Sequence, residues 1–223
     1  METPSMHHRT SWTLMLGAGV LALAAPAMAQ TSGTTTVTGS TPEAFSITSG
    51  SDGALSSTVA LGSLTPGNAT TASGLTAATM DVRLRSNKGY KLTATAGTLS
   101  VSGAGTAAGG GAVTLSDIGF GVVSVTSSGA NVATGRTDTI LTGYDVSGGW
   151  PAATNGVTPA FSKTMTDITG GVEVLSGSRI SARGNLATDN NFITVRFGVA
   201  ALPQFYTPNN GFSSVVTLTI AAQ

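Results

Sequence analysis

MDVRLRSNKGYKLTATA, Met80 to Ala96, decides the fold class. Met80, Val82 and Leu84 share one side of an extended chain, and Asp81, Arg83 and Arg85 share the other. After Ser86-Asn87-Lys88-Gly89 the pattern resumes, with Tyr90, Leu92, Ala94 and Ala96 opposite Lys91, Thr93 and Thr95. Successive side chains alternate between faces only in a strand, so this period of two excludes a helix. Alternation on both sides of a short Asn- and Gly-bearing turn predicts an antiparallel hairpin with one buried face and one wet, charged face.

The same grammar extends outward in both directions. Upstream, Phe45-Ser46-Ile47 and Val59-Ala60-Leu61 predict short strands, and Gly62 to Asn68 predicts a turn with Pro then Gly. Downstream, Gly103 to Gly111 is a glycine-rich loop, while Val113-Thr114-Leu115 and Phe120 to Thr126 return to extended structure. From Ser127 to Gly171 the patterning weakens into an irregular excursion that holds Tyr144, Trp150-Pro151 and Phe161, with Ile140-Leu141 as a short strand. Val172 to Leu175, Arg179 to Arg183 and Asn191 to Val199 predict further strands. In the last of these, Ile193, Val195, Phe197 and Val199 face inward.

The chain closes on Thr207-Pro208-Asn209-Asn210-Gly211 and then a strand with Val216, Leu218 and Ile220 on one face and Val215, Thr217 and Thr219 on the other. A terminal strand built this way is expected to lie inside a sheet, paired on both edges. Its inward side chains would then each contribute roughly 1.5–3 kcal/mol by burial. Nine or ten short strands with turn signals between them and no helix of ordinary length predict an all-β antiparallel sandwich, of immunoglobulin-like type.

Met1 to Ala29 reads as a secretory signal peptide. His7, His8 and Arg9 form the n-region, Leu14 to Ala25 the apolar stretch, and Ala27-Met28-Ala29 the small-residue cleavage site. The apolar run of about 12 residues is short of the roughly 20 that a spanning helix needs. The predicted organisation is a leader over 1–29, a flexible Thr- and Ser-rich arm over 30–42, and one sandwich domain over 43–223 with its excursion at 127–171. The expected location is outside the cytoplasm: periplasm, cell surface or extracellular space.

Removing the leader removes both histidines. The whole chain has no cysteine and ten charges of each sign; Arg9 and Glu2 leave with the leader, so nine of each remain. A neutral surface argues against nucleic acid, which demands cationic groups to displace counterions. It argues equally against electrostatic docking on an anionic membrane. Without disulfides, stability rests on burial and hydrogen bonding.

Three features occur in order: the leader, the early turn Leu-Gly-Ser-Leu-Thr-Pro-Gly (61–67), and a strand leading to Ser86-Asn87-Lys88-Gly89-Tyr90. The chain then ends on Tyr206-Thr207-Pro208, Gly211 and the Val215 to Ile220 strand. Together these resemble bacterial exported immunoglobulin-like surface and pilin-like subunits, including the spore coat protein U and fimbrial type. The resemblance covers the two ends of the mature chain. It implies assembly by strand addition, in which one subunit lends an extended segment to a neighbour's sheet edge. The arm from Gln30 to Thr41 is a poor donor, since Val37 is its one large apolar residue. Val216, Leu218 and Ile220 are the candidate assembly strand.

Chemistry is sparse. A serine nucleophile needs a base, most often His, and the mature chain has none; Lys88, Lys91 and Lys163 sit in no Ser-Lys motif. Thiolate and imidazole metal sites are excluded by composition. The nine carboxylates stand in turn-like or solvent-face contexts, and Asp189-Asn190-Asn191 and Asp138 with Asp145 match no calcium loop. Gly109 to Gly111 is followed by no Lys-Ser/Thr and is not a phosphate loop. No cofactor and no metal are expected. The expected function is structural and non-enzymatic, with further copies or another surface subunit as partner. The alternative is a binding module for glycan, with Trp150, Tyr144 and Tyr206 as an aromatic platform.

Overall fold

The computed structural model describes residues 36–56, 58–64, 75–103, 111–151, 161–181, 190–202 and 206–223. The leader, most of the arm, Thr65 to Asn68 of the early turn, most of the 103–111 loop, Arg183 and Asp189 lie outside the described residues.

Among the described residues ten strands follow one another: β1 Phe45–Ser49, β2 Thr76–Ser86, β3 Tyr90–Ala96, β4 Ser100–Ser102, β5 Ile118–Ser128, β6 Asp138–Ile140, β7 Val172–Gly177, β8 Phe192–Ala201, β9 Gly211–Ser213 and β10 Val216–Ala222. They form two four-stranded antiparallel sheets, ordered β1-β2-β8-β5 and β10-β3-β7-β6, with β4 and β9 as a separate pair. The two sheets pack face to face as a sandwich-like all-β fold, as the alternation predicts. Residues Thr41–Gln223 make one compact unit.

The alternation assigns faces correctly. Val82, Leu84, Phe120, Val122, Ile193, Val195 and Phe197 from one sheet meet Tyr90, Leu92, Ala94, Leu175 and Leu218 from the other in a single buried cluster. Each of the Val, Leu, Ile and Phe side chains contributes about 1.5–3 kcal/mol by leaving water.

The predicted hairpin at Met80–Ala96 is corrected in its pairing. β2 pairs with β1 and β8, whereas β3 pairs with β10 and β7. Ser86 to Gly89 therefore carries the chain from one sheet to the other, across the core. The turn's polar groups are met by distant segments, which hold it open. Asn87 N donates to Ala44 O at 3.2 Å, and the Ser86 carbonyl accepts from Ile180 N and Ser181 N at 3.2 and 2.9 Å. Period-two patterning fixes which face a residue shows, but not which strand lies beside it.

Other boundaries also move. Val59 to Leu61 keeps its alternating burial yet belongs to no strand. Leu115–Asp117 is a 3-10 turn rather than strand, because Asp117 accepts from the backbone and hydroxyl of Thr114 at 2.8 and 2.6 Å in a capping box. Met165–Ile168 repeats the device with Thr164 and Asp167. Ser181 makes one isolated bridge to Val132 in place of a strand.

Candidate functional site

β10 is the first candidate, and its position corrects the expectation of double pairing. It lies at the end of its sheet, paired to β3 from Val216–Ala96 through Ala222–Tyr90. Among the described residues no strand pairs with its other edge. The side-chain faces are as expected: Leu218 is 7% exposed and Val216 and Ile220 are half-buried, while Thr217 and Thr219 are exposed and Val215 is 72% exposed.

The other sheet edges are treated differently. The outer edge of β5 is occupied by the excursion: Phe120 N donates to Lys163 O at 3.1 Å, Val122 N to Tyr144 O at 2.7 Å, and Val146 N to Val122 O at 3.0 Å. β6 is three residues long and carries Asp138. β1 is five residues long and ends in the turn at Ser49–Gly53. β10 is seven residues long, reads VTLTIAA, and has no charge, no proline and no bulge. Edges of natural sheets are usually blunted by such devices, because unpaired N–H and C=O groups template further pairing.

The aromatic platform does not come together. Tyr144 is 1% exposed and packs edge-to-face on Phe120, with ring centroids 6.3 Å apart. Tyr206 is half-buried and its hydroxyl donates to Leu202 O at 3.3 Å. Trp150 is half-buried, T-stacked on Phe161 at 5.8 Å and 87°. Both rings lie on the outer face of the first sheet, over glycines. A Cβ at Gly198 would fall 3.1 Å from Trp150 Cζ2, and one at Gly119 would fall 2.5 Å from Phe161 Cδ1. These two glycines let the excursion sit against the strands, and no local sequence signal joins them to the rings they accept.

The carboxylates hold the fold together. Asp52, with φ 65°, receives Arg83 Nη1 at 2.5 Å, Arg85 Nη2 at 2.7 Å and the Thr48 hydroxyl at 3.5 Å. Arg85, placed by alternation on a wet face, is fully buried there, under Asp52 and the Phe192 ring 4.9 Å from its guanidinium carbon. The hydrogen bond from Arg85 lowers the Asp52 pKa below the ordinary carboxylate range.

On the other sheet, the Tyr90 hydroxyl donates to Asp138 at 2.8 Å. Arg136 ties the same carboxylate at 2.5 Å and reaches Ser127 at 2.8 Å, joining β6 to β5. Burial, and then the Asp138 charge, push the Tyr90 phenol well above its usual pKa. Asp81 is paired with Arg196 at 2.7 Å, Glu43 with Lys88, and Asp145 accepts from Ser147 N at 2.9 Å. The hydrogen bonds from Arg196 to Asp81 and from Ser147 to Asp145 lower both carboxyl pKa values.

Asn191, from the first calcium candidate, accepts from Asn131 N at 2.7 Å. Among the described residues no three His, Cys, Asp or Glu side chains gather as a metal site, and no helix is long and apolar enough to cross a membrane. No protein-family model matches this chain, and no curated protein matches it either.

Proposed function

We propose that this chain is a non-enzymatic, exported structural subunit of the immunoglobulin-like, pilin-like class (spore coat protein U or fimbrial type), which associates through the open edge of β10. The observation that carries the reading is the contrast between edges. The excursion covers β5, while β10 presents seven residues with no guarding charge or proline. An extended segment of a second copy added there gains main-chain hydrogen bonds along the strand and extends the sheet.

Light scattering after size exclusion on the mature chain, Gln30–Gln223, over a concentration series tests this. Oligomers that persist on dilution are expected, and Thr219→Lys should return them to monomers, because an edge lysine resists strand addition. The Thr219 side chain is exposed, so the monomeric fold tolerates the change. A monomer at every concentration overturns self-association through β10.

A further inference from the structure

A cavity of about 1070 Å³ opens between the two sheets at the end where β2 begins and β8 finishes. Its inner wall is made by Met80, Leu99, Phe120, Phe197, Val199 and Phe212. Met80, Leu99, Val199 and Phe212 belong to the partly buried fringe of the core cluster, while Phe120 and Phe197 are buried, so the space lies at the margin of the core. Ligand pockets fall at roughly 300–1,000 Å³.

Two lips flank the cavity. One is the 55–64 segment, in which Val59 and Leu61 face in while Thr58 and Ala60 stay exposed. The other runs from Tyr206 through Asn210 to the start of β10. The outer parts of both lips carry hydroxyl and amide side chains, among them Thr58, Ser63, Asn210 and Ser213, and these are exposed. Among the described residues that line the space, none is charged. Met80 and Met165 give the wall unbranched, adaptable side chains.

We infer that this cavity is a binding site for an uncharged, lipid-like molecule, with its hydrocarbon between the sheets and a neutral polar group at the hydroxyl- and amide-bearing mouth. An apolar chain gains by leaving water, and hydroxyl or amide groups at the rim satisfy an alcohol or ester head. A carboxylate or ammonium head would meet no counter-charge among the described lining residues. The site is separate from the outward face of β10, since Thr217 and Thr219 take no part in its lining.

Fluorescence of the neutral probe N-phenyl-1-naphthylamine, titrated with the mature chain, tests the site. Saturable, blue-shifted enhancement is expected. Decan-1-ol should displace the probe at concentrations at least about tenfold below those needed of decanoate or decyltrimethylammonium at pH 8. The double variant Val199→Trp/Leu99→Trp, which narrows the space from two sides, should weaken binding at least about tenfold while far-UV circular dichroism stays unchanged. Thr219→Lys should leave binding intact, which separates this site from assembly.

A diazirine-bearing decanol provides a second readout that needs no variant. Its label should map by mass spectrometry to the two lips or the inner wall. Absence of saturable binding, equal displacement by the charged amphiphiles, or label found only elsewhere overturns the inference.

Discussion

At the scale of single residues, Asp52 holds the most. It sits in the left-handed region, where Asp and Asn are the side chains best tolerated after Gly. From there its carboxylate reaches two arginines on β2. Asp52→Asn keeps the backbone preference and removes the charge opposite a fully buried guanidinium. The expected loss is about 1.5–3 kcal/mol of unfolding free energy, measured by urea titration at pH 7. A loss below about 0.5 kcal/mol would mean that Arg85 is held by its other contacts. Ser-Asp-Gly was legible as a turn, but the arginines lie more than thirty positions away and nothing local links them to it. The same limit hid the burial of Arg85. Alternation places it outward, and only the fold brings the Asp52 turn and Phe192 over it.

At the scale of elements, β10 separates what a strand pattern specifies from what it leaves open. Its inward and outward sets were legible, because a one-residue slip would send Val216, Leu218 and Ile220 to solvent. Its place at the edge was not, since a seven-residue Val/Thr strand reads the same beside one neighbour or two. The faces make a direct prediction. Leu218→Ala should cost about 2–5 kcal/mol, as a large-to-small change inside the core. Val215→Ala, three positions earlier and mostly exposed, should stay within about 0.5 kcal/mol. Equal effects at the two positions would contradict the observed register. The final strand therefore contributes to stability from an edge position, with core burial on one face and pairing on one side.

At the scale of the whole molecule, the charged latches set a pH window. Hydrogen bonds hold the carboxyl pKa values of Asp52, Asp81, Asp145 and Asp167 below their ordinary value of 3.8. Their stabilisation is fully present above that value and is lost as pH falls through the lowered folded values. Tyr90 acts at the opposite end. Its phenol is raised above 10.0, so its contribution is complete below pH 10 and disappears as the pH rises beyond it. Urea midpoints should therefore be level between about pH 5 and 9, with an acid limb that Asp52→Asn shallows and an alkaline limb that Tyr90→Phe shallows. A midpoint that declines steadily from pH 9 to 5 would show that other groups dominate.

The passage of the chain from β2 to β3 also governs how the molecule reaches its native state. Because Ser86 to Gly89 spans the core, the stretch with the strongest local pattern has no local partner to zip with. Leu84 pairs with Ile47 on one side and with distant Ile193 on the other, and Ala96 pairs with Val216. Ladders between residues more than a hundred positions apart require the costliest loop closures before any contact rewards them, which places refolding in the slow millisecond-to-second regime. Laser temperature-jump relaxation should show no microsecond hairpin phase, and amides of β2 and β3 should gain exchange protection together with those of β8 and β10. Until β8 is available, the central pairings of the first sheet cannot form.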